Sequence, residues 1–199
     1  MNKRIRRGWI LVGLGLVMVL CSCAMHLMYR QQDAMAGANS AVLLAQLESH
    51  RSTSVQQSVQ TQENELPQMP VKTLSGYELI GRIQVESLGV DLPVLSGWSM
   101  EMLNIAPCRY SGSLQTSDMI LMGHNYESHF LPLLEISEGA KVAFEDAGGV
   151  WHEYRVALVE TLKAYEGEKL PSEYPLTIFT CTRGGQNRFV IRCEKQDES

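Results

Sequence analysis

The hydrophobic pattern divides the chain into three stretches. Residues 8–29 are 22 positions without a formal charge, bracketed by Arg7 and Arg30, with only Ser22 and His26 clearly polar. A helix of that length measures about 33 Å, enough to cross a hydrocarbon core of ~30 Å. Residues 30–75 then turn rich in Gln, Ser, Thr, Asn and Glu. A short helix is expected at 41–47, but no period survives over 48–69, and Pro67 and Pro70 break any helix. This stretch reads as a polar linker or stalk, spanning roughly 35–40 Å as a flexible coil.

Residues 76–199 read as one domain of short strands. Positions 77–85 partly alternate and are β-rich, and 90–95 form a short strand whose Pro93 points to an edge. The apolar run 118–123 fits a buried strand. Segments 141–144 and 150–162 are two more, joined by a hairpin turn at Ala147-Gly148-Gly149. In the second of these, Trp151, Glu153, Arg155, Ala157 and Val159 are expected on one face, and His152, Tyr154, Val156 and Leu158 on the other. Segments 176–180 and 188–193 complete the set, and helix is confined to 100–105 and 128–136. The pattern predicts a mostly β fold: about seven or eight strands in a closed or nearly closed barrel with a few short helices, preceded by a transmembrane helix.

Charge sharpens this division. The 199 residues carry 17 basic and 22 acidic side chains, a formal net charge of −5. Lys3, Arg4, Arg6, Arg7 and Arg30 all lie in the first 30 residues, where there is no acid, so the body is acidic. An acidic body excludes a general nucleic-acid binder, which needs a basic face against phosphates. Four positive charges before the apolar run and one after it place the amino terminus, residues 1–7, in the cytoplasm and the domain outside. The run is longer than the apolar core of a secretory signal and lacks an Ala-x-Ala site. Leu20-Cys21-Ser22-Cys23 matches a lipoprotein box only loosely. The expectation is an uncleaved single-span anchor in the cell membrane.

The chemistry-bearing residues of the domain are Cys108, Cys181 and Cys193 with His124, His129 and His152. No Cys-x-x-Cys, helical His pair or acidic calcium loop is present, so no metal or cofactor is expected. Three cysteines leave at least one free thiol unless one pairs between chains. Cys181 is the best candidate. It ends an apolar strand, faces the glycine-rich loop 182–187, and has Arg183 and Arg188 nearby in sequence; cations favour a nucleophilic thiolate. Cys193 shares a face with Phe189 and Ile191 and reads as core. His124 also ends an apolar strand, so a His and a Cys can meet on one rim, the minimum for nucleophilic thiol chemistry. Arg188, Val190 and Arg192 share a face by alternation, and either Arg could reach that rim to support a developing oxyanion.

On these residues the chain resembles a sortase, a cysteine transpeptidase family of Gram-positive bacteria. The family's Thr-Leu-x-Thr-Cys is similar to Thr177-Ile178-Phe179-Thr180-Cys181, its histidine matches Gly123-His124-Asn125, and its arginine matches Arg188 at the head of Arg188-Phe189-Val190-Ile191-Arg192. The matches fall in order across about 77–194, in a class B-like or unclassified pattern. The resemblance implies an eight-stranded sortase barrel. It implies that Cys181 cleaves a carboxyl-terminal sorting motif of a secreted protein through a thioacyl-enzyme, and that a peptidoglycan or pilin amine resolves it. His124 would move the protons, Arg188 would steady the oxyanion, and Thr180 would help shape the substrate site. An L,D-transpeptidase would need a Ser-x-Gly-Cys-x-Arg context, absent around Thr180-Cys181-Thr182-Arg183. A non-catalytic, membrane-anchored binding or assembly module on the same barrel is the reading from another class.

Overall fold

A computed structural model describes residues 3–54 and 69–196. The domain is a closed barrel. Its strands are β1 (Lys72–Leu74), β2 (Tyr77–Val85), β3 (Val90–Leu95), β4 (Cys108–Ser111), β5 (Met119–Met122), β6 (Lys141–Asp146), β7 (Trp151–Lys163), β8 (Leu176–Cys181) and β9 (Asn187–Lys195). Around the ring the order is β2-β3-β4-β5-β8-β9-β7-β6, and β6 pairs back onto β2. The ring of eight strands is weakest between β3 and β4; β1 is a ninth strand, hairpin-paired onto the start of β2. The expected eight-stranded barrel is thus present. Pro93 fits because β3 meets β4 only at Leu95↔Cys108, which leaves the other positions of that edge without ladder bonds.

The interior is filled from all sides by Ile80, Ile83, Val94, Met119, Leu121, Phe130, Phe144, Ile178 and Ile191, each fully buried. One expected alternation breaks. A bulge between Val156 and Leu158 shifts the β7 register, so Tyr154 and Val156 point inward but Leu158 turns out to solvent. The expected helix over 128–136 is instead a turn followed by one 3-10 turn, Pro132–Glu135, and the one over 100–105 is the single turn α2 (Met100–Leu103), capped by Ser99. None of the five cysteines is in a disulfide. Cys108 and Cys193 are both buried, and burial pushes each thiol up to about 12.

The linker expected over 30–75 is corrected at both ends. One helix, α1 (Lys3–Ser54), runs through the apolar stretch and on to residue 54, and residues 72–74 form β1; residues 55–68 lie outside the described residues. The apolar part of α1 keeps large side chains exposed from Leu11 to Met28, and α1 is long and apolar enough to cross a membrane by length and composition. Beyond it the helix packs on the barrel. Ala36, Ser40 and Leu43 are buried there, and Leu43 joins Leu74, Leu79, Leu95 and Leu103 in a second apolar cluster. Glu48 reaches the buried Arg82, which also pairs with the buried Glu145 at 3.0 Å. A polar helix of this kind is held by tertiary contacts rather than propensity, and those contacts were invisible to a search for apolar periodicity.

Candidate active site

Strand register assembles the rim. Strands β5 and β8 run parallel, with Met122 opposite Phe179. His124 and Cys181 each follow two residues later, so both leave the same end of adjacent strands. Two bonds continue the pairing past the strand end: Gly123 N–H donates to the Phe179 carbonyl at 3.2 Å, and Thr180 Oγ1 donates to the Gly123 carbonyl at 2.9 Å. Asn125 Nδ2 then donates to the Thr182 carbonyl at 3.1 Å, tying the His124 loop to the Cys181 loop.

On its other side β8 pairs antiparallel with β9, and Cys181 stands opposite Arg188. Arg188 Nη1 donates to Cys181 Sγ at 3.4 Å and lies 3.5 Å from the Gly185 carbonyl. Cys181 and Arg188 are both partly exposed, so a polypeptide can reach them. Arg192, the alternative in the sequence, is 3 % exposed and occupied elsewhere: Glu160 (2.9 Å), the Lys169 carbonyl (2.7 Å), Thr177 Oγ1 (3.2 Å) and the Leu170 carbonyl hold its guanidinium. Arg183 pairs with the exposed Glu135 at 3.5 Å.

The His124 ring is half-buried and stacks on Tyr126, with ring centroids 4.6 Å apart and 27° between planes. Burial lowers its pKa below the usual imidazole value, so it is neutral at neutral pH. Its Nε2 is buried and has no hydrogen-bond partner among the described residues. Gly123 is required by space: a Cβ there would lie 2.5 Å from the Phe130 ring.

The site therefore gathers His124, Cys181, Arg188 and Thr180. Thr180 is 1 % exposed, and its hydroxyl is engaged with Gly123, so it braces the rim from below rather than lining its surface. The sequence reading missed Tyr126, the tether function of Asn125, and the side chains of α1 that reach the same loop. Asn125 was in view as part of Gly-His-Asn; the others carried no local signal.

A thiol, an imidazole and a guanidinium on one rim of a closed β-barrel define a cysteine acyl-transfer enzyme. The family model described as the sortase domain matches residues 83–196, more than half of the chain, and the protein belongs to the sortase family of cysteine transpeptidases. No curated protein matches it. Among solved structures, Streptococcus agalactiae sortase C1 in complex with MTSET is similar at 19 % identity and TM-score 0.54, over 61 % of this chain and 69 % of that one. Clostridium perfringens SM101 sortase C gives 19 % identity and 0.52, over 60 % and 71 %. Actinomyces oris sortase C-1 gives 21 % and 0.53, over 59 % and 74 %. At these identities the likeness concerns the fold.

Proposed function

We propose that this sortase is a membrane-anchored transpeptidase in which Cys181 is the nucleophile, His124 the proton carrier and Arg188 the oxyanion or carbonyl support. The observation that carries the reading is the Arg188 guanidinium 3.4 Å from Cys181 Sγ, on a rim that the β5–β8 register also gives to His124. Neutral His124 takes the proton of the Cys181 thiol, and the thiolate attacks the carbonyl on the amino side of the scissile bond in a sorting motif. The tetrahedral oxyanion collapses, the C–N bond breaks, and His124 supplies the proton the departing amine needs. The thioester then waits for an incoming amine of peptidoglycan or a pilin. His124 takes that amine's proton, the C–S bond breaks to release the amide, and the imidazolium returns the proton to the Cys181 thiolate.

The substrates are secreted proteins with a carboxyl-terminal sorting motif. The four basic residues before the apolar run support an amino terminus in the cytoplasm and a barrel outside.

The test is intact-mass spectrometry of the full chain in detergent, mixed with Leu-Pro-x-Thr-Gly-like and Asn-Pro-x-Thr-Asn-like peptides, with and without added amine. An acyl adduct on Cys181 that amine releases as an amide is the expected result and identifies the motif. Absence of any adduct across both peptide sets, from folded protein with a titratable Cys181 thiol, counts against the reading.

A further inference from the structure

We propose that α1 is part of the active site, with Tyr29 and Asp33 acting as positioning residues for His124. This rests on the transpeptidase reading only for what His124 does; the contacts stand without it. The His124 Nε2 has no hydrogen-bond partner among the described residues, and the ring stacks on Tyr126. Tyr126 is held in turn by the edge of the Tyr29 ring, with centroids 5.6 Å apart and 82° between planes, and Tyr29 Oη donates to the Asn125 carbonyl at 3.2 Å.

One turn further along α1, the Asp33 carboxylate accepts from the backbone N–H of Ser128 (3.0 Å) and of Glu127 (3.3 Å), and from Ser128 Oγ (2.5 Å). Another turn on, Gly37 allows the close approach: a Cβ there would lie 2.8 Å from Ser128 Cβ. Ser40 then meets His129 Nε2 at 3.1 Å. Every residue from Asn125 to His129 is therefore either bonded to α1 or packed on it. The loop carrying the reactive imidazole takes its shape from the helix, and Tyr29 is the last residue of the apolar run. The membrane anchor and the acid–base group form one rigid unit, in place of a barrel swinging on a flexible stalk.

The chemistry needs this because proton transfer falls off steeply when an imidazole drifts from its partner atom. A loop held at one end by strand β5 and otherwise by solvent would not keep the ring still.

The test uses the full chain in bilayer nanodiscs. The variants are Tyr29→Ala, Asp33→Ala, the wedge Gly37→Leu and the ring-preserving Tyr29→Phe. Two quantities are read: kcat and KM for amine transfer, and the titration midpoint of the His124 imidazole by NMR. The titratable and charged groups around that ring are Tyr126 and His129 from its own loop, Tyr29 and Asp33 from α1, and Cys181 and Arg188 from the ends of β8 and β9. The first three variants are expected to lose at least ~10-fold in kcat with KM within about twofold, and to move the midpoint up toward the ordinary value of ~6.5 as water reaches the ring. Tyr29→Phe stays within about threefold of wild type, since it gives up one exposed hydrogen bond and keeps the ring. Unchanged kcat and an unmoved midpoint in the first three variants overturn the proposal, as does a loss confined to KM. A wild-type protein that forms no acyl adduct overturns the transpeptidase reading instead; the midpoint then decides the positioning role alone.

Discussion

Arg188 donates to Cys181 Sγ across one rung of the β8–β9 ladder, at 3.4 Å. The rung fixes both backbones, so the guanidinium is aimed at the sulfur before any substrate arrives, and preorganised charge of this kind lowers barriers more than mobile charge does. Replacing Arg188 by Ala is expected to lower kcat by about 10²–10³ with the barrel intact. Lys at this position keeps the charge but loses the planar fork, and should recover only part of the rate. Single-turnover acylation followed by mass spectrometry measures both.

Thiol reactivity should separate the three barrel cysteines. Cys108 and Cys193 are fully buried with thiols pushed up to about 12, whereas Cys181 is partly exposed. Brief alkylation of the native protein at neutral pH is expected to label Cys181 and spare the other two, and Cys181→Ala should remove both the barrel label and the activity. Peptide mapping after iodoacetamide treatment reads the outcome; labelling of Cys193 at a comparable rate would contradict the burial argument.

His124 should titrate below the ordinary imidazole range because burial penalises its charged form. Its Ala variant is expected to lose several orders of magnitude in turnover while Cys181 remains alkylatable. Near-normal turnover in that variant would remove its proton-transfer role.

His129 predicts a pH dependence of stability. It is 1 % exposed, and burial, reinforced by His124 nearby, lowers its pKa to about 4. Ser40 Oγ donates to the Ile105 carbonyl at 2.7 Å, so it accepts from the Nε2–H of a neutral His129. With the folded pKa below the unfolded one, the unfolded chain binds the extra proton between them. Stability is therefore complete above ~6.5, falls as pH drops toward 4, and levels off below it, a change on the order of 3 kcal/mol. Denaturant midpoints across that range measure the slope, and His129→Asn should flatten it.

Gly123→Ala tests the packing under the rim. The added methyl meets the Phe130 ring, so the variant should lose about 1–3 kcal/mol and slow turnover by displacing His124. Thr180→Val is expected to cost a similar ~1–3 kcal/mol by leaving the Gly123 carbonyl unpaired, while Thr180→Ser stays close to wild type. Thermal melts of the three variants distinguish the outcomes.

The barrel was legible because its strands announce themselves locally, by apolar runs such as Met119–Met122 and turns such as the one at Gly149. The bulge in β7 was not legible, since one inserted residue leaves no trace in composition. Alternation alone left Arg188 and Arg192 open, since both lie on one strand, and the family resemblance favoured Arg188; the surroundings agree, with Arg188 at the thiol and Arg192 locked among Glu160 and backbone carbonyls.

The helical course of residues 31–54 shows the same limit. Tyr29, Asp33, Ala36, Ser40, Leu43 and Leu47 recur at spacings of four and three, a single helix face. Only its far end, Leu43 and Leu47, meets an apolar cluster, and that is the part where a short helix was expected; Tyr29, Asp33 and Ser40 instead meet a backbone carbonyl, backbone amides, a serine and a histidine, which leaves no hydrophobic period. The sequence by itself determined the apolar span, the strand set and which side chains are candidates for the chemistry, because each depends on short-range pattern and side-chain chemistry. Tertiary structure alone decided where the helix lies and what holds His124, because those depend on which distant polar groups meet when the chain closes on itself.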